Sequence, residues 1–157
     1  MEALCTQLEF ELKRFSITPK AIESLFIGGG TPSTVAPKFY EKIFEMLKPY
    51  LGDNIEITSE ANPNSATGEW LKGMFELGVN RISFGVQSFN KDKLKLLNRA
   101  HNDTQAKEAI LNAQKVGFKN ISLDLIYATL GDTKELLEND LLTAFSLPVN
   151  HLSAYAL

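Results

Sequence analysis

"FIGGGTPST", residues 26–34, closes an apolar run with three glycines and then Thr31-Pro32-Ser33. Adjacent glycines cost conformational entropy on folding, so a chain that places Gly28, Gly29 and Gly30 together needs a backbone without side chains at that point. The run before them reads as a buried strand. Pro37, a few residues on, suits the first position of a helix. The glycines are not a P-loop, because no Gly-Lys-Ser/Thr follows, and they do not follow GxGxxG. Two readings remain: an ordinary strand-to-helix turn, or a set of bared N–H groups suited to a carboxylate, a phosphate or a carbonyl.

The same alternation continues along the chain. Runs rich in Ile, Val, Leu and Phe predict strands near Ser24–Gly28, Ile55–Glu60, Arg81–Val86, Ile121–Tyr127 and Leu152–Ala156, composed as buried parallel strands are. Amphipathic segments lie between them. A first helix over Glu2–Phe15 puts Leu4, Leu8 and Leu12 on one face, with Cys5 beside them as a core-facing thiol. A second runs from Pro37 toward Pro49. A third is capped by Thr67 and ended by Gly78, and a short one is capped by Asn90. Asp103 caps the next, which Gly117 ends, and Asp132 with Glu135 has capping-box spacing for the last. The alternation predicts an α/β fold of parallel strands with right-handed crossovers, either an open sheet or part of a βα barrel. The chain opens on a helix where such a unit normally opens on a strand, so a first strand is expected upstream.

The 157 residues fit one domain, and 44% apolar content suffices for a core. A net charge of −3 with mixed signs argues against nucleic acid as a partner. No apolar run approaches the roughly 20 residues of a membrane span. The N-terminus is not a secretory signal, and one cysteine precludes an internal disulfide; a cytoplasmic protein is expected.

In parallel α/β folds ligands bind at the carboxyl ends of strands. Those ends carry Gly28-Gly29-Gly30-Thr31-Pro32-Ser33, then Glu60, then Gly85 and Gln87, then Asp124 inside "ISLDLIY", then Ser153 and Tyr155. Asp124 needs a partner inside its apolar strand, and Arg99 is one candidate. His101 reads as a helix-end residue, His151 as structural, Trp70 as helix packing, and the helical Lys and Glu residues as solvated faces. Together the strand ends suggest a site for a small polar molecule. Glu60 would accept from an ammonium, and exposed backbone or Arg would meet a carboxylate.

In order, "LFIGGGTPS", "EITSEANP", "GVNRISFGVQSF", "LLNRAHN", "ISLDLIYATLGDT" and "HLSAYAL" resemble the radical S-adenosylmethionine (SAM) family of oxygen-independent coproporphyrinogen III oxidase and its haem-chaperone relatives, over Leu25 to Leu157. The resemblance implies a partial (βα)6 radical SAM barrel with its first strand missing. It implies a SAM pocket made by Gly28, Gly29, Gly30, Thr31, Glu60, Gln87, Arg99 and Asp124. It implies, as the expected function of the intact protein, oxidative decarboxylation of porphyrinogen propionates with an electron donor, and, as the alternative from the chaperone branch, binding and delivery of haem. The intact family carries a [4Fe–4S] cluster on CxxxCxxC, a motif absent here, where Cys5 stands alone. The chain by itself is therefore expected not to perform the reaction. The family's C-terminal domain is also absent, and Ala128-Thr129-Leu130-Gly131-Asp132-Thr133 replaces the usual "GLPGQT". An exposed barrel edge invites self-association. A different βα enzyme with convergent glycines, binding a phosphate or an amino acid, is the remaining alternative.

Overall fold

The structure is a computed structural model describing residues 1–157. Its strands are β1 (Ile22–Ile27), β2 (Leu51–Ala61), β3 (Arg81–Gln87), β4 (Asn120–Tyr127) and β5 (His151–Ala156). They form one sheet in the order β1-β2-β3-β4-β5, and every pairing is parallel. The helices are α1 (Glu2–Arg14), α2 (Glu41–Leu47), α3 (Gly68–Glu76), α4 (Lys91–Leu96), α5 (Asp103–Val116) and α6 (Lys134–Phe145). The sheet curls into a half-barrel, and no helix is long and apolar enough to cross a membrane.

Alternation along the strands gives the sheet two unlike faces. Ile57, Ile82, Phe84, Val86, Ile121, Leu123 and Leu125 point into the core, where Trp70, Leu71, Met74, Ala106, Ile110 and Ala113 of α3 and α5 meet them. The register aligns Glu60 with Ser83, Ser83 with Ser122, and Asp124 with Ser153 on the other face. That inner face is polar and carries small residues. Phe75 near the end of α3 packs edge-to-face on Phe118, two residues past the end of α5, with centroids 5.1 Å apart.

Several local expectations hold. Thr67 caps α3 by accepting from the Trp70 N–H, and Asn90 caps α4. Gly78 and Gly117 follow α3 and α5 with φ of +103° and +122°. Trp70 is buried and donates its indole N–H to the Val35 carbonyl at 2.9 Å. Cys5 is buried on α1 as a free thiol.

Others are corrected. β1 ends at Ile27, so Gly28 lies in the turn, and β2 begins at Leu51 rather than Ile55. The Pro37–Pro49 helix is divided into a 3-10 turn at Pro37–Phe39, α2, and a second 3-10 turn at Lys48–Tyr50, since Pro49 lacks the N–H that would continue it. Asn102, not Asp103, caps α5, in a reciprocal capping box with Gln105. Thr133 caps α6, because Asp132 is taken up by Lys93. Lys93 itself is buried, against the expectation that helical lysines form solvated faces.

Candidate functional site

A cavity of about 200 Å³ opens at the carboxyl ends of β2, β3 and β4. Gly30, Thr31, Glu60, Gln87, Arg99 and Asp124 line it, so six of the eight residues singled out from sequence converge. Gly28 and Gly29 do not line it, and act through the turn. Gly29 and Gly30 sit at φ +79° and +56°, a backbone region that side chains disfavour. The Gly29 N–H donates to Glu60 Oε2 at 3.0 Å. A Cβ on Gly28 would run into the Phe26 ring and come within 3.1 Å of the Glu60 carboxyl carbon. The glycines therefore bring the turn onto Glu60. The Gly29 amide, which sequence reasoning offered to a ligand, is instead spent on fixing that carboxylate, whose Oε1 makes no hydrogen bond within the chain.

Gln87 reaches the cavity by an irregular route. Between Phe84 and Gln87 the β3–β4 register slips, with three steps on β3 matching two on β4, from Leu123 to Leu125. This bulge leaves Gln87 at φ +70° and re-aims its side chain. Gly85 makes room: a Cβ there would stand 3.2 Å from the Gln87 amide nitrogen.

Arg99 follows α4 and forms no ion pair; its Nε is buried without a hydrogen-bond partner. The expected Arg99–Asp124 pair is absent. Asp124 instead lies beside Ser153, its register partner on β5. Burial pushes the Asp124 carboxyl above the usual range, the Ser153 hydroxyl works against this, and the Glu60 charge adds to it.

His101 lies behind the site. Its Nε2 is 2.9 Å from the Val86 carbonyl oxygen, which can only accept, so Nε2 carries the proton and Nδ1 is left buried and unpartnered. Burial lowers its pKa below 6.5, the Val86 hydrogen bond opposes this, and the Arg99 charge lowers it further. His151 is exposed, with Nε2 3.4 Å from the Ser153 hydroxyl.

Gly85, already read from sequence as a strand-end residue, lines the cavity too, and so do Ser83 and Asn62. The signal for Ser83 was available: strict alternation over Arg81–Gln87 puts Ser83, Gly85 and Gln87 on the face opposite Ile82, Phe84 and Val86. Asn62 sits just beyond β2, in the Ala61-Asn62-Pro63 stretch that follows Glu60 at the strand end.

Five parallel strands in chain order, curled around a polar pocket at their carboxyl ends, define a βα half-barrel. Residues 6–144 match the profile of the radical SAM superfamily, and the chain belongs to that superfamily. Among curated proteins it is 41% identical over 98% of its length to the haem chaperone HemW of Haemophilus influenzae, and 40% identical over 87% to that of Bacillus subtilis. It spans about two fifths of the length of these relatives, 41% and 37%. Among solved structures, the coproporphyrinogen III oxidase HemN of Escherichia coli, a radical SAM enzyme, overlays 86% of the chain and 32% of its own at a TM-score of 0.78 and 28% identity. An archaeal Elp3 from Methanocaldococcus infernus shares the fold over 98% of the chain and 40% of its own, at 0.74 and 18%. Within that superfamily the chain is similar to the HemN and HemW proteins.

The pocket's donor set fits the amino-acid end of SAM: an unpartnered guanidinium faces the need of a carboxylate, and Glu60 and Asp124 that of an ammonium. The family's cluster does not fit the residues present. Three thiolates are needed, Cys5 is the single cysteine, and no three metal-ligating side chains come together.

Proposed function

We propose that this chain is the SAM-binding half-barrel of a haem chaperone. The observation that carries the SAM assignment is the convergence of Arg99, Glu60, Gln87 and Asp124 on one cavity. Its volume is below the roughly 300–1,000 Å³ of whole-ligand pockets, which suits one end of a larger molecule. In this reading Gly28, Gly29, Gly30 and Thr31 shape the turn against the methionine moiety. Glu60, fixed by the Gly29 amide, takes its ammonium, and the Arg99 guanidinium takes its carboxylate. Gln87 hydrogen-bonds the ligand, and the raised Asp124 closes the pocket floor. When bound, SAM would supply the sulfonium from which the radical that names the superfamily is generated. The residues of this chain bind and orient it.

Haem as cargo is supported by the names of the relatives most similar in sequence. The oxidase reading, favoured by sequence resemblance, rests on a structural likeness at lower identity. Isothermal titration with SAM tests the first part. Binding that is lost in Arg99→Ala and Glu60→Gln supports it, and equal binding in those variants overturns it. Titration with haem, followed by its Soret band, tests the second. A saturable one-to-one shift is expected, and a spectrum indistinguishable from free haem overturns the chaperone assignment for this segment.

A further inference from the structure

Lys93 does not line the ligand cavity, yet its burial needs a reason. Its side chain is 3% exposed on a helix of six residues, and two carboxylates surround its ammonium. Asp132 Oδ2 lies 2.9 Å from Nζ and Asp140 Oδ2 lies 3.9 Å from it, their side chains 10% and 3% exposed. Each carboxylate holds a different loop. Asp140, on α6, accepts from the Ser88 hydroxyl at 2.7 Å and from the Phe89 N–H at 2.7 Å. The Ser88 oxygen in turn accepts from the Asn90 N–H at 2.9 Å. Asp132 accepts from the Thr129 N–H at 3.0 Å. The first loop leaves β3 immediately after Gln87, and the second leaves β4 three residues after Asp124.

Gln87 is the residue that most needs such support. It combines a register bulge with a left-handed backbone, and such conformations persist only where the surroundings fix them. The fixing groups are Ser88 and Phe89, which Asp140 grips from across the molecule. Arg99 depends on the same anchor, because it follows α4, the helix that carries Lys93, and its N–H donates to the Leu94 carbonyl.

We propose that Lys93 is a positioning residue for the ligand site: by bridging Asp132 and Asp140 it locks the β3 and β4 loops together and so holds Gln87 and Arg99 at the spacing a ligand requires. This rests on the reading of the cavity as a SAM site.

The test uses three variants of the whole chain. Lys93→Arg keeps the charge. Lys93→Met removes it but strands two buried carboxylates, so Lys93→Met/Asp132→Asn is included, which leaves Asp140 with its own donors. Amide hydrogen exchange reads the bridge without any ligand. Exchange in the double variant is expected to speed up about tenfold at both Ser88–Phe89 and Thr129, with α3 unchanged. Acceleration at one loop alone, or throughout the chain, overturns the bridge. SAM titration well below the melting temperature reads its purpose. Affinity is expected to fall about tenfold in the double variant and to be retained in Lys93→Arg. A folded double variant that binds SAM as the wild type does, while Arg99→Ala does not, overturns the positioning role. If the wild type itself fails to bind SAM while both loops loosen together, the bridge stands and the SAM assignment falls.

Discussion

The imidazole of His101 is held by a single carbonyl, so a second proton, on its buried Nδ1, would find no acceptor. Its pKa is lowered, chiefly by burial, so the folded chain takes up that proton at lower pH than the unfolded chain does. The stability it contributes is fully present above about 6.5 and is lost as pH falls through the folded-state value. Asp124, raised by burial, acts in the opposite sense: its contribution is present at low pH and lost as pH rises through its folded value. Melting curves of the wild type and His101→Gln separate the two, since the glutamine keeps an N–H for Val86 and cannot titrate. The wild type is expected to lose melting temperature faster below pH 6.5; parallel curves would locate the acid sensitivity elsewhere. At this scale the sequence was most legible where a residue contradicted its surroundings. A run of three glycines, whose last member lines the cavity, a glutamate at the end of a strand and an aspartate inside an apolar strand each pointed to it. Lys93 was invisible for the converse reason. A lysine among lysines on a short helix looks solvated, and only the arrival of α6 and the β4 loop, distant in sequence, buries it.

Among the elements, α3 illustrates a conflict between propensity and packing. Gly73 lies inside this helix, where glycine costs about 1 kcal/mol relative to alanine. A Cβ there would stand 2.7 Å from two ring carbons of Pro37. That ring belongs to the 3-10 turn after the glycine run and has no free end to swing away. Gly73→Ala is therefore expected to destabilise the chain by about 1–3 kcal/mol despite the better helix former. Urea unfolding measures it, and a variant as stable as the wild type or more so would mean that the turn yields. Strand and helix order was readable from hydrophobic period alone, as was the Thr67 cap. The ends of α5 and α6 were each misplaced by one residue, because neighbouring polar side chains all qualify as caps and the choice is made by partners. Gln105 reaches back to Asn102, and Lys93 claims Asp132. The break at Pro49 outweighed the continuous helical pattern before it.

For the molecule as a whole, the unpaired sides of β1 and β5 are its open flanks. Each has one sheet neighbour, so a row of N–H and C=O groups stays open on either flank. We expect the chain to self-associate as its concentration rises, and Ser24→Lys on the exposed outer strand to reduce this. Sedimentation velocity over a wide concentration range checks it, and a single monomeric boundary throughout would refute it. The half-barrel was legible as a parallel α/β fold, whereas the alternative of a flat open sheet could not be set aside from pattern alone, because curl depends on how each crossover packs. The strand order has a kinetic consequence as well. Every sheet neighbour is also the next strand in the chain, so each pairing closes one short crossover and none waits for a distant segment. Folding can begin at the most deeply buried pair, β3 with β4, and spread outward one unit at a time, as it does in repeat arrays. A chain still being made would present each strand next to the partner made just before it, so no pairing waits for a segment that has yet to appear.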